Sequence, residues 1–178
     1  DTCVKVYNFL NKNKDLLDIS DELIEMIRVK IETKQQTIYN LHPTIDDLLN
    51  DVVYKLVIDD QTFLVPLWHS ELYFDYLDDA GKKMSEIVVV CEPLLPEGIT
   101  VDEDGNIHGS MELRLSELVI GQTISLDIGC KSFPICVNQL FVKSEQVHTI
   151  KGCGLPKLKR NIYDVSERAD IVVRIHML

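Results

Sequence analysis

Positive charge is scarce in this chain. Lys and Arg number 18 against 29 Asp and Glu, leaving a net charge of −11 at neutral pH. Recognition of a nucleic-acid backbone needs clustered cations, so no nucleic-acid partner is expected. Paired cysteines are missing too. Cys3, Cys91, Cys130, Cys136 and Cys153 include no CxxC, the usual zinc spacing, and no metal site is expected. An odd, scattered set of thiols reads as reduced and intracellular, which points to the cytoplasm. No apolar run approaches the roughly 20 residues of a membrane helix. No signal peptide is visible either, so no membrane partner is expected. The chain begins at Asp1 rather than Met and reads as a fragment of something longer.

The signatures of catalysis are also lacking. There is no GxSxG, HExxH, P-loop or GxGxxG. His42, His69, His108, His148 and His176 stand apart from one another, never at the i, i+4 spacing of a helical metal pair. Cys153 could act as a nucleophile with a distant His. Its flanking Gly152 and Gly154 are equally those of a turn. Asp102-Glu-Asp-Gly-Asn106 has the look of a calcium loop. It lacks the Gly at position six and the Glu at twelve, and it reads as a tight turn about Gly105 and Asn106. No enzyme and no cofactor are expected.

What the chain does have is a repeat. Leu41 to Val65 returns 70 positions later as Met111 to Ile135. Ile45 lands on Leu115, Asp47 on Glu117, and Leu48 on Leu118. Leu56 lands on Leu126, Ile58 on Ile128, Phe63 on Phe133, and Val65 on Ile135. Each copy reads as a strand, a helical turn carrying an acid then Leu, and a hairpin of two alternating strands. Self-similarity at a fixed period is strong evidence about architecture.

Residues before 36 are different. Val4, Tyr7 and Leu10, then Leu23, Ile24, Ile27 and Ile31, give helical stripes. The break falls at Asn11 to Asp15, with Ser20 or Asp18 as cap of the second helix. Strands are expected at Thr37–Leu41, Val52–Ile58, Phe63–Leu67 and Trp68–Phe74, with a polar loop at Tyr76–Lys83. Further strands are expected at Ile87–Cys91, Ile107–Leu115, Gln122–Ile128, Phe133–Val137 and Asp170–His176. Short edges are expected at Leu140–Val142 and His148–Ile150. Thr44 can cap the turn Ile45–Asn50, and Ser116–Ile120 repeats that turn. With 46% apolar residues there is enough to bury a core. The expected fold is mainly β: two tandem β-sandwich-like subdomains with short helical turns, preceded by an α-helical N-terminal extension. The expected boundaries are 1–35, 36–106 and 107–178.

Several landmarks, in order, resemble the C-terminal region of DnaJ-type co-chaperones. Thr44-Ile-Asp-Asp-Leu-Leu-Asn-Asp51 with Tyr54-Lys-Leu56 is similar to the Ser-Leu-Glu-Asp-Leu opening of the family's first C-terminal domain. Asp102-Glu-Asp-Gly-Asn-Ile107 looks like its Arg-Asp-Gly-Asn-Leu junction. Leu115-Ser-Glu-Leu-Val-Ile-Gly121, Gly152-Cys-Gly-Leu-Pro156 and Asp170-Ile-Val-Val173 resemble later landmarks of the second domain. The departures matter. His42-Pro43 is followed by Thr44, so the J-domain signature is missing and stimulation of a DnaK-type ATPase through it is excluded. The CxxCxGxG zinc repeats are missing. Asp51 and Ala169 stand where the family has Gly. Little room is left for the family's dimerisation segment.

The resemblance implies a function: binding apolar segments of unfolded client proteins for delivery to a DnaK-type chaperone. Carried over in register, the client pocket falls on Tyr39, Leu41, Tyr54, Leu56, Ile58 and Val101. Lys55 is the candidate for gripping the partner chaperone's acidic tail. The alternative reading is a non-catalytic assembly scaffold that binds no client.

Overall fold

The structure, a computed structural model, describes residues 2–178 except 15, 18, 33–35, 78, 79, 82, 119 and 120. It is mainly β, with three α-helices among the described residues. Two helices come first, α1 (Thr2–Lys12) and α2 (Asp21–Glu32), and they pack against each other. Ser20 caps α2, accepting from Leu23 N at 3.3 Å. The other expected cap, Asp18, lies outside the described residues, as does the side chain of Ile31 in the expected stripe. Ile24 is buried, but Val6, Phe9, Leu23 and Met26 remain exposed.

The repeat seen in the sequence is a repeat of structure. In the first unit β1 (Gln36–Leu41) leads through α3 (Ile45–Leu49) into the hairpin β2 (Val53–Ile58) and β3 (Gln61–Pro66). Then come β4 (Glu71–Leu77) and β5 (Lys83–Cys91). After the short β6 (Thr100–Val101), the second unit runs β7 (Ile107–Leu113), a 3-10 turn (Leu115–Glu117), and the hairpin β8 (Thr123–Ile128) and β9 (Lys131–Cys136). It closes with β10 (Glu145–Ile150) and β11 (Ile171–Met177). In both units the last strand pairs parallel with the first and antiparallel with the one before it. The hairpins match residue for residue: Val53 pairs Pro66 and Ile58 pairs Gln61, while Thr123 pairs Cys136 and Ile128 pairs Lys131. β6 adds a fourth strand to the second sheet, antiparallel to β7.

Backbone conformation repeats at the same spacing. Asp51 (φ 54°) and Gly121 (φ 85°) both lie in the left-handed region, as do Asp59 (φ 40°) and Gly129 (φ 57°). The turn after the helical segment and the hairpin tip each need a positive φ, which Gly adopts freely and Asp tolerates at a cost.

Three expectations shift. Trp68–Phe74 is not one strand. Trp68 and His69 are buried in a turn, and the strand begins at Glu71. The polar loop expected at Tyr76–Lys83 shrinks, because Leu77 and Lys83 pair across β4 and β5; 78, 79 and 82 lie outside the described residues. Leu140–Val142 forms no strand; the Gln146 amide accepts from Phe141 N and donates to Phe141 O, at 2.9 and 2.8 Å, closing a loop instead. Of the expected turn Ser116–Ile120, the last two residues lie outside the described ones.

One continuous core runs through both units, from Ile45, Leu49 and Val65 to Ile107, Ile135 and Ile175. Each such side chain contributes about 1.5–3 kcal/mol on burial. Polar contacts also join the units. The β8–β9 turn docks on α3: Cys130 N donates to Asp46 Oδ1 at 2.6 Å, and Lys131 Nζ to Leu49 O at 2.5 Å. The loop 151–170 reaches back as well, with Tyr163 Oη donating to Leu64 O at 3.0 Å and Arg168 pairing with Asp51.

Candidate client-binding face

Local chemistry fixes the entry to the first hairpin. Thr44 N-caps α3 in a capping box: Asp47 N donates to Thr44 Oγ1 at 3.2 Å, and Thr44 N returns a bond to Asp47 Oδ2 at 2.8 Å. The Thr44 hydroxyl donates to the same carboxylate, and these bonds hold the Asp47 carboxyl below its ordinary pKa. Ile45, Leu48 and Leu49 are buried beneath. The chain therefore leaves α3 with β2 held at a set angle to the core.

β2 then alternates. Leu56 is buried, and Ile58 is partly buried against the core. Val53, Lys55 and Val57 occupy the opposite face, with Leu64 across from Lys55 on β3. Three apolar members of that outer face are open to solvent: Val53 at 40%, Val57 at 58% and Leu64 at 49%. Tyr54, though on the Leu56 side, is 45% exposed. Lys55 is exposed and makes no ion pair among the described residues.

Of the six residues placed in the pocket from sequence, only Tyr54 is exposed. Tyr39 and Leu41, on β1, are partly buried and pack against the core, as Ile58 does. Leu56 belongs to the core itself. Val101 lies on β6 in the second sheet, facing a cavity rather than the hairpin. The exposed aliphatic surface of the first hairpin is thus carried by Val53, Val57 and Leu64, which the sequence reading did not single out.

The second unit carries a different surface at the same positions. The positions equivalent to Val53, Lys55 and Val57 are Thr123, Ser125 and Asp127, and Leu64 corresponds to Pro134. Where the first unit has Tyr39 the second has Gly109, and the Ile99 side chain sits only 3.1 Å from where a Cβ would stand. The signal was in the sequence, as Val53 and Val57 of one copy become Thr123 and Asp127 in the other.

The backbone adds a second feature. Among the described residues, β2 bonds to β3 and to no other strand. The far edge of β3 is partly occupied, because Leu64 O accepts from Tyr163. Among the described residues, nothing hydrogen-bonds to the far edge of β2 beside Val53, Tyr54 and Val57. An extended peptide can add to such an edge by main-chain hydrogen bonds while side chains settle on the apolar face.

Among the described residues, no three His, Cys, Asp or Glu side chains gather as metal ligands. None of the helices among the described residues is long and apolar enough to cross a membrane. The chain matches no protein-family model and no curated protein sequence.

Proposed function

We propose that this chain is a client-binding module of a co-chaperone resembling the DnaJ C-terminal region. Its two units act as β-sandwich-like subdomains, 36–106 and 107–178, behind a helical extension. It captures extended apolar segments of unfolded proteins on the first hairpin, for delivery to a DnaK-type chaperone. The observation that carries the reading is the contrast between hairpins that share one register. The first exposes Val53, Val57 and Leu64 beside a free strand edge, and the second presents Thr123, Ser125 and Asp127. A scaffold with no ligand would gain nothing from leaving three large aliphatic side chains in water on one hairpin alone. Lys55, centred on that face, is the cation suited to an acidic tail of the partner chaperone.

The test is suppression of light scattering from a thermally unfolded client. Val57→Asp together with Leu64→Asp removes the apolar face without touching the core. The double variant is expected to fold, by circular dichroism, and to lose most of its suppression. Full suppression by a folded double variant would reject the assignment.

A further inference from the structure

The helical extension carries apolar surface of its own, away from the β2–β3 face. Lys14 pairs with Asp21, which sets the end of α1 beside the start of α2. The two helices pack on each other across a short connection, and so run antiparallel. Ile24 is buried and Tyr7, Leu10 and Ile27 are half-buried, so these positions mark the contact between the helices. A second apolar stripe stands about a quarter turn away on each helix, Val6 and Phe9 on α1 and Leu23 and Met26 on α2. Both stripes are offset from the contact in the same rotational sense. In an antiparallel pair that puts them on one side. Phe9 is 61% exposed and Met26 58%, against 6% for Ile24. An open groove runs along α2 past Leu23, Met26 and Val29.

Charge identifies what covers this side. α1 carries Lys5 and Lys12 and no acidic residue, whereas the first half of α2 carries Asp21, Glu22 and Glu25. By helical spacing, Lys5 and Lys12 border the α1 stripe and Glu22 the α2 stripe, each on the flank away from the other helix. Lys12 and Glu22 are exposed and form no ion pair among the described residues. Glu25 lies 3.7 Å from Arg28. The surface is therefore self-complementary. A second copy related by a two-fold axis parallel to the helices lays each α1 antiparallel on the partner's α2. Val6 and Phe9 then meet apolar residues, and Lys12 of each copy falls at the level of the partner's Glu22. The other face-to-face pairing, α1 on α1, sets lysine against lysine.

We infer that the helical extension pairs with that of a second copy of this chain. Val6, Phe9, Leu23 and Met26 form the centre of a four-helix arrangement, and flanking Lys12–Glu22 contacts fix which helices meet. The pairing is independent of the client-binding proposal.

The test is molar mass by light scattering on the whole chain at graded concentration. A reversible monomer–dimer equilibrium is expected. Phe9→Ser with Met26→Ser, both on exposed positions, should hold the mass at that of the monomer. Circular dichroism checks that its helices persist, and charge variants carry the test if they do not. Lys12→Glu alone, or Glu22→Lys alone, puts like charges at both flanking contacts and should weaken the dimer about tenfold. Mixing these two variants restores opposite charges at both contacts and should return the native affinity. A monomer at every concentration up to about 1 mM, a dimer indifferent to the charge variants, or no recovery on mixing would overturn the inference. The first of these would leave the apolar side to a different protein. The client-binding proposal stands under any of them.

Discussion

Arg168 reaches from the second unit to the first and closes on Asp51, its Nη1 lying 2.9 Å from Oδ1 and 2.8 Å from Oδ2. Both side chains are only about a quarter exposed, at 23% and 27%. Asp51 occupies the left-handed position that Gly121 fills in the second unit. The substitution of Asp for Gly therefore carries backbone strain and supplies a tie between units. The two effects oppose each other.

That opposition is measurable by urea denaturation. Asp51→Gly relieves the strain and loses the ion pair, so its net effect should be small, within about 1 kcal/mol. Arg168→Ala leaves the carboxylate unpaired and should cost about 1–2 kcal/mol. In the Asp51→Gly background the same Arg168→Ala should cost clearly less. Additive costs in the double variant would show that the pair contributes nothing.

The two left-handed glycines that flank β8 give a second comparison. A Cβ at Gly129 would stand 2.0 Å from Asp46 Oδ1, the acceptor of the Cys130 amide. A Cβ at Gly121 would meet nothing within 4 Å. Gly121→Ala should thus cost only the left-handed strain, about 1 kcal/mol. Gly129→Ala adds the loss of a charge-assisted hydrogen bond and should cost about 3 kcal/mol. Equal losses would mean that the Asp46–Cys130 contact does not hold the units together.

The turn before β7 should weaken in acid. Loss of hydration pushes the Asp102 carboxyl up, but bonds from His108 and Asn106 outweigh it and hold the pKa at about 2. The folded value lies below the ordinary carboxylate value, so the contribution is full above about pH 4 and is lost as pH falls toward 2. The stability gap between the native chain and Asp102→Asn should be constant near neutrality and shrink across that interval. A gap that does not change down to pH 2 would contradict the assignment.

Core and surface at the hairpin separate by substitution. Leu56→Ala removes a buried side chain and should destabilise by about 2–4 kcal/mol. Tyr54→Ser and Val57→Ser lie on exposed positions and should change stability by no more than about 0.5 kcal/mol while weakening client capture. Thermal melts beside the aggregation assay distinguish the two. Loss of capture only in step with loss of stability would place no binding on this face.

Much of the fold could be read from the chain because the repeat keeps one spacing from β2 to β3 and from β8 to β9. Alternation located those four strands, and Thr44 marked the helical turn. Beyond the hairpins the copies diverge. The loop 151–170 intervenes before β11, and β4 and β10 no longer correspond in register, so the strand at Glu71 was misplaced by the bulky Trp68. The burial of Trp68 and His69 depends on partners such as Ile162, 93 residues away in the chain, which no local pattern reveals. For the site, alternation shows which residues of β2 share a face. It does not say which face meets the core. Leu56 and Ile58 turned inward, and Val53 and Val57 outward, because α3 and Val65 lie on one side only. The cavity beside Val101 was not legible, since its walls come from segments far apart in sequence.

The most direct measurement is a two-dimensional amide NMR titration of the labelled chain with an extended apolar peptide. The account expects shifts clustered at Val53 to Ile58, strongest at amides on the free edge of β2, with β8 silent. Silence throughout, or equal shifts at Thr123 to Ile128, would contradict the claim that the first hairpin alone is built to hold a client.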